Sequence, residues 1–328
     1  MAEWLYEQGI GEDRAILVAD GAILAAQVER HSSGPRAGLI AEARLVEADP
    51  KTGGVVRFAE NAEAVIARVP AGVSVGAQMI VEVTREAMPE PGKTKRAVAR
   101  ATDEAPRAAP SLHDRIAESG VPVIRSSAHD AADRFEEAGW SELLDEAATG
   151  EISFPGGALR VSLTPAMTLI DIDGAPGDAY PLALAGIEEA GRAIVRMDIT
   201  GSIGIDLPTL ANRVQRLALA EAFDAIVAQP FERTAVNGFG FLQLVRRRVR
   251  PSLAELMHYR PVESASLALL RRAERAHGSG PARLVIAPSV AAWIESRPAL
   301  VEQLSQRLGR NITIGVSESE GMDGGYVE

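Results

Sequence analysis

Two stretches decide how this chain is read: MTLIDIDG at 167–174 and TGSIGIDLP at 200–208. Each is a short apolar run ending in an acid, the pattern of a buried strand that emerges at its carboxyl end. Residues i and i+2 of a strand share a face, so Asp171 and Asp173 project together. The helical pattern at 181–196 between the two runs makes a right-handed crossover, which sets both strands parallel and brings Asp206 to the same edge. Ligands of open α/β sheets bind outside those ends. Three carboxylates are therefore expected to converge on one point, where their mutual repulsion favours a cation between them. An all-oxygen donor set suits Mg²⁺, with Mn²⁺ also fitting. Such an ion polarises phosphoryl oxygens and activates water. Acids at strand ends also serve as helix caps, and the same arrangement fits a phosphatase or a sugar-nucleotide enzyme.

Working outward, strands alternating with helices predict a central α/β region over 151–256 with mostly parallel strands. Pro208 suits the first turn of a helix over about 208–224. A strand is predicted near 232–236 and a helix at 239–249. The tail, 257–328, reads as a small α/β domain: a helix at 264–277, the strand RLVIAP, two short helices and the strand NITIGV. Upstream, 1–36 reads as a segment of N-terminal strands, with two short strands over 14–30 turning at Asp20-Gly21. Residues 37–100 carry short β-runs separated by turn signals such as Asp49-Pro50 and Gly53-Gly54, which predicts a small barrel. Residues 101–110 (ATDEAPRAAP) read as a linker and 111–150 as mainly helical, including one helix at about 128–147. The fold class is thus α/β in several domains.

Composition narrows the function. The chain has 328 residues, 46% hydrophobic and 24% charged, with a net charge of −11 and no cysteine. Disulfides and thiolate metal sites are excluded, and broad coating of nucleic acid is disfavoured. No apolar run reaches a membrane span, and MAEWLYEQGIGEDR lacks a signal-peptide pattern, so a cytoplasmic location is expected. Two basic clusters stand out: Lys93, Lys95 and Arg96, and Arg246 to Arg250. The five histidines have no metal-ligand spacing. Trp140 and Trp293 read as core.

The stretch MTLIDIDG, a helix, TGSIGIDLPTL and then NGFGFLQLVRRRVRPSL resembles the catalytic region of the ribonuclease E/G family. Pro155-Gly156-Gly157 before the first strand matches as well, and ESASLALLRRAERAH with ARLVIAPSVAAWI and NITIGV resembles the family's small C-terminal domain. The resemblance implies an OB-type RNA-binding barrel inserted in a small ribonuclease-H-like region. It implies a Mg²⁺-dependent endoribonuclease that cleaves single-stranded RNA with a metal-activated water to leave a 5′-phosphate, in RNA processing or decay. Asp171 and Asp206 take the positions of the metal carboxylates and Asp173 that of an accompanying asparagine. Arg246 and Arg248 fall on a basic helix positioned for RNA; Lys93, Lys95 and Arg96 lie on the loop leaving the barrel, where a basic contact suits RNA. The implied partner is single-stranded RNA, with no DNA and no membrane, and a homodimer is compatible.

The departures are specific. Asp173 replaces a neutral amide, Gly238 stands where the family has arginine, and APGD (175–178) lacks the arginine of the family loop. The 5′-monophosphate-sensing module is largely missing. LMHYRPVES lacks the cysteines of the zinc link, so no zinc is expected. Phe58 is the one barrel phenylalanine in the matching region and reads as core. These departures keep open a non-catalytic RNA-binding relative, and the spacing alone keeps open a metal-dependent phosphatase.

Overall fold

The computed structural model describes every residue except 32, 33, 50 and 279, so the turn expected at Asp49-Pro50 lies partly outside the described residues. The chain opens with an antiparallel meander, β1 (Glu3–Gln8), β2 (Glu12–Ala19) and β3 (Ala22–Arg30). Asp20 and Gly21 both take positive φ at the β2–β3 turn. Then come β4 (Ile40–Asp49), β5 (Gly53–Arg57), β6 (Glu63–Ile66), β7 (Gln78–Arg85), β8 (Met88–Glu90), β9 (Lys93–Lys95) and β10 (Ala97–Ala101). Five of these close into a barrel in the order β10-β6-β5-β4-β7, consistent with an OB-like barrel. Its interior is Leu45, Val56, Ile66, Val81 and Val83, and Phe58 packs against that core. β8 and β9 form a separate hairpin between β7 and β10.

After the barrel, α1 (Leu112–Ala117) and β11 (Val123–Ser126) return to the opening strands. β11 pairs parallel to β1, giving a four-stranded sheet β11-β1-β2-β3. Residues 112–126 therefore complete the first sheet, around Trp4, Tyr6, Leu112 and Ile116. The helix expected at 128–147 is two shorter ones, α2 (Arg134–Glu137) and α3 (Trp140–Thr149), interrupted where Gly139 takes a left-handed conformation.

The central region comprises β12 (Glu151–Phe154), β13 (Gly157–Leu163), β14 (Thr168–Gly174), α4 (Ala179–Arg196), β15 (Gly201–Asp206), α5 (Arg213–Ile226), β16 (Phe231–Arg233), β17 (Phe241–Arg246) and α6 (Leu253–Tyr259). Its sheet runs β12-β13-β14-β15-β17-β16. Two expectations fail here. The sheet is mostly antiparallel: among the described residues its one parallel pair is β14–β15, the pair joined through a helix. Short turns join β12 to β13 and β13 to β14, and a loop joins β16 to β17, which makes these pairs antiparallel; β17 pairs antiparallel with β15 after the chain has passed through α5 and β16. The segment expected as a basic helix at 239–249 is instead strand β17, with Leu242 and Leu244 buried and Val245 exposed. That is a period of two, which the following run of arginines obscures. The next helix begins at Arg213, capped by the Asn212 side chain, so Pro208 lies in the preceding loop.

The tail adds α7 (Pro261–Glu274), β18 (Ala282–Ile286), α8 (Pro288–Glu295), α9 (Pro298–Leu308), β19 (Ile312–Val316) and β20 (Tyr326–Val327), close to the expected elements. They surround their own core of Leu267, Leu270, Leu284, Ile286 and Ile294. The largest core is continuous from the first sheet through Phe135 and Trp140 to α4 and the inner face of the six-stranded sheet. No helix among the described residues is long and apolar enough to cross a membrane.

Candidate metal centre

The register places the acids. Asp171 of β14 and Asp206 of β15 are direct partners across the parallel pair, about 4.8 Å apart at the backbone. Ile170, Ile172, Ile203 and Ile205 are buried on the inner face against α4. Alternation therefore sends Asp171, Asp173 and Asp206 to the opposite, exposed face. The site lies on the open face of the sheet near the carboxyl ends, and not solely beyond its edge.

Three local features hold the strands in this register. Gly157 pairs with Gly174, and a Cβ at Gly157 would stand 2.4 Å from the Asp173 carbonyl oxygen, so β13 and β14 approach more closely than side chains allow. Asp178, at the end of the APGD loop, caps α4 by accepting the Tyr180 N–H at 3.1 Å. The Leu207 N–H donates to the Gly240 carbonyl at 3.1 Å, tying the segment after Asp206 to the turn before β17.

The electrostatics match crowded acids. Partial desolvation raises the Asp171 pKa above the ordinary carboxylate range, and the charges of Asp173 and Asp206 push it further the same way. The Ile172 N–H and Arg160 pull against them. Arg160 is the β13 partner of Asp171 and also reaches Glu151 at 3.9 Å. Sequence reasoning did not single it out; its signal is the antiparallel register, which depends on knowing the hairpin.

The expected convergence of three ligands is corrected. Among the described residues no group of three or more His, Asp or Glu side chains is arranged to hold a metal ion. Asp171 and Asp206 fit a hard cation as an adjacent, all-oxygen pair, the number Mg²⁺ requires when waters complete its shell. Asp173 lies on the same face and adds negative charge.

The basic residues lie elsewhere. Arg246 pairs with Gly201, at the opposite end of β15 from Asp206, a separation of about 16 Å along the strand. Its Nη1 donates to the Ile199 carbonyl at 2.6 Å and reaches that of Ile194 at 3.4 Å, closing the α4–β15 connection. Arg248 is paired with Glu255. Lys93 and Lys95 lie on the exposed β8–β9 hairpin, not on a loop leaving the barrel, and both face Glu90, at 3.4 and 3.8 Å. Arg96 bonds Glu63 at 3.2 Å. None of the five stands beside the acids. His31 contacts Asp13 at 3.0 Å, and the His113 and His258 rings meet Tyr6 and Tyr259 edge-on.

Comparison with known proteins gives partial matches. No family model matches. The chain is 29% identical over 154 residues to ribonuclease E of Escherichia coli, covering 40% of this chain and 14% of that protein. It is 27% identical over 208 residues to ribonuclease E of Haemophilus influenzae, covering 55% of this chain and 22% of that protein. The chain thus spans less than a quarter of the length of either curated relative. What these matches support is a distant relationship to ribonuclease E.

Proposed function

We propose that the protein is a divalent-metal-dependent endoribonuclease acting on single-stranded RNA, with Asp171 and Asp206 holding Mg²⁺ or Mn²⁺. The observation that carries this reading is the in-register pairing of the two acids on an exposed sheet face, in a chain distantly similar to ribonuclease E. When bound, such an ion supplies charge neutralisation at a phosphoryl oxygen and a nucleophile at neutral pH. The protein's own part is positioning. β14 and β15 fix two carboxylates side by side, and their repulsion makes a cation the favoured occupant. Asp173 adds a further carboxylate acceptor on the same face. An open sheet face admits an extended strand, and the OB-like barrel supplies a second surface for it. In the reaction, water oxygen adds to phosphorus and the bond to the 3′ oxygen breaks, leaving a 3′-hydroxyl and a 5′-phosphate.

Asp171→Asn and Asp206→Asn should each lower Mg²⁺-dependent cleavage of a single-stranded RNA oligonucleotide by about 10²–10⁴-fold, since several kcal/mol of transition-state stabilisation are at stake. Circular dichroism should show both variants folded. Full activity in both variants would refute the assignment. A second reading, an RNA-binding relative without efficient cleavage, is favoured by the pairing of Arg246, Arg248, Lys93, Lys95 and Arg96 within the protein. Salt-sensitive RNA binding with no metal-dependent product would select it. Turnover of small phosphate esters but not RNA would instead select a phosphatase.

A further inference from the structure

Phe239 is 85% exposed, more than any other aromatic residue among the described residues. Burying such a ring is worth roughly 1.5–3 kcal/mol, so a phenylalanine held in water calls for an explanation. The turn beneath it is not slack. The Asn237 side-chain oxygen accepts the N–H groups of Phe239 at 2.9 Å and Phe241 at 3.1 Å. The Thr209 hydroxyl donates to the Phe239 carbonyl at 3.3 Å. Gly240 has φ +92°, and a Cβ there would meet the Leu207 carbonyl oxygen at 2.3 Å. The ring is therefore presented by a braced support, anchored to the residues directly after Asp206. Phe241 is the β17 partner of Asp206, and two further residues place the Phe239 Cα within about 13 Å of that of Asp206.

Charge decides what the ring could receive. The chain carries −11, and the cation acting on Asp171 is Arg160, itself opposed by Glu151. Arg246 and Arg248 lie at the far end of the strands. Arg213 and Arg216 open α5 after the loop that follows Asp206, and Arg216 is turned to the Leu210 and Ala211 carbonyls, so phosphate contacts leave room for affinity from uncharged surface. Stacking on an aromatic ring supplies that and tolerates any base. On the open face, Phe241 packs against Gly204 and Leu169, extending the apolar surface beside the acids.

We propose that Phe239 is a nucleobase platform, stacking one base of single-stranded RNA next to the phosphate that a cation on Asp171 and Asp206 would hold. The proposal rests on the nucleolytic reading above. The test uses the full chain, a labelled single-stranded RNA oligonucleotide with one cleavage site, and copies of it with a single abasic nucleotide moved along the sequence. Phe239→Ala should weaken binding in EDTA, read by fluorescence anisotropy, by about 5- to 150-fold, with an unchanged melting temperature. Phe239→Trp should restore it. An abasic nucleotide at one position near the scissile phosphate should cost the wild type the same factor and cost Phe239→Ala nothing further. Binding by Phe239→Ala within twofold of wild type would overturn the platform, as would additive losses at every abasic position. A change of oligomeric mass without loss of RNA binding would overturn it too, assigning the ring to a protein contact. Binding that depends on Phe239 without metal-dependent cleavage would sink the nucleolytic reading and leave the platform standing. A wild-type protein that neither binds nor cleaves RNA would remove both.

Discussion

At the scale of single residues, the candidate site sets like charges side by side. Asp171 faces Asp206 directly across the parallel pair, and like charges directly opposite destabilise a sheet by about 0.2–1 kcal/mol. Asp171→Asn should therefore stabilise the metal-free fold by about that amount, measured by urea denaturation in EDTA, while removing the stabilisation that added Mg²⁺ gives the wild type. A lower stability in EDTA would mean that the aspartate makes a favourable contact instead. His31 offers a test away from the site. Its hydrogen bond to Asp13 raises its pKa, against the lowering effect of burial. The folded pKa thus exceeds the unfolded value of about 6.5. The contribution is fully present below about pH 6.5 and is lost as pH rises through the folded pKa. His31→Gln should flatten the melting temperature across that window, and an unchanged pH profile would remove the coupling. These residues differed in legibility. The acids were readable because apolar alternation marks the face of each side chain. Arg160 and Phe239 were not, because one depends on hairpin register and the other on a turn that leaves its ring in solvent.

At the scale of elements, the crossover β14–α4–β15 carries the site, and its tolerance is small. Gly186 of α4 lies against Ile172, the residue between the two β14 acids; a Cβ there would stand 2.4 Å from the isoleucine Cγ2. Gly186→Val should cost about 1–3 kcal/mol by overpacking and should weaken metal binding at a site it never touches. Calorimetric titration with Mn²⁺ on the folded fraction would check this, and wild-type affinity would show that β14 does not shift. This crossover was legible because an apolar run, an amphipathic helix and a second apolar run admit one handedness. β17 departs from the expected helix because FLQLVRRRVR has the charge of a surface helix and a strand's alternation over its first half. The expected parallel sheet fails at β12–β14 because the tight turns at 155–156 and 164–167 make antiparallel neighbours.

At the scale of the molecule, the first sheet, the α2–α3 segment and the tail are bolted by buried charge. Arg14 bonds Glu7 at 3.2 Å and lies 3.9 Å over the Phe135 ring. Arg275 of the tail reaches Glu7 at 2.6 Å and Asp133 at 2.7 Å, and Arg271 reaches Glu12 at 2.7 Å. Removing one partner of such a network strands the others. Arg14→Ala should cost about 3–5 kcal/mol in denaturant unfolding, whereas Arg14→Met, which keeps the packing, should cost less. Equal losses would locate the energy in charge pairing alone. The open sheet face stands clear of this bolt, so the acids can vary without loosening the frame. The account depends most on the ion proposed for those acids. An anomalous-difference map from crystals soaked in Mn²⁺ should show a peak bound by both Asp171 and Asp206 carboxylates at roughly 2.1 Å. No peak there at saturating Mn²⁺, with the two side chains turned apart, would contradict it.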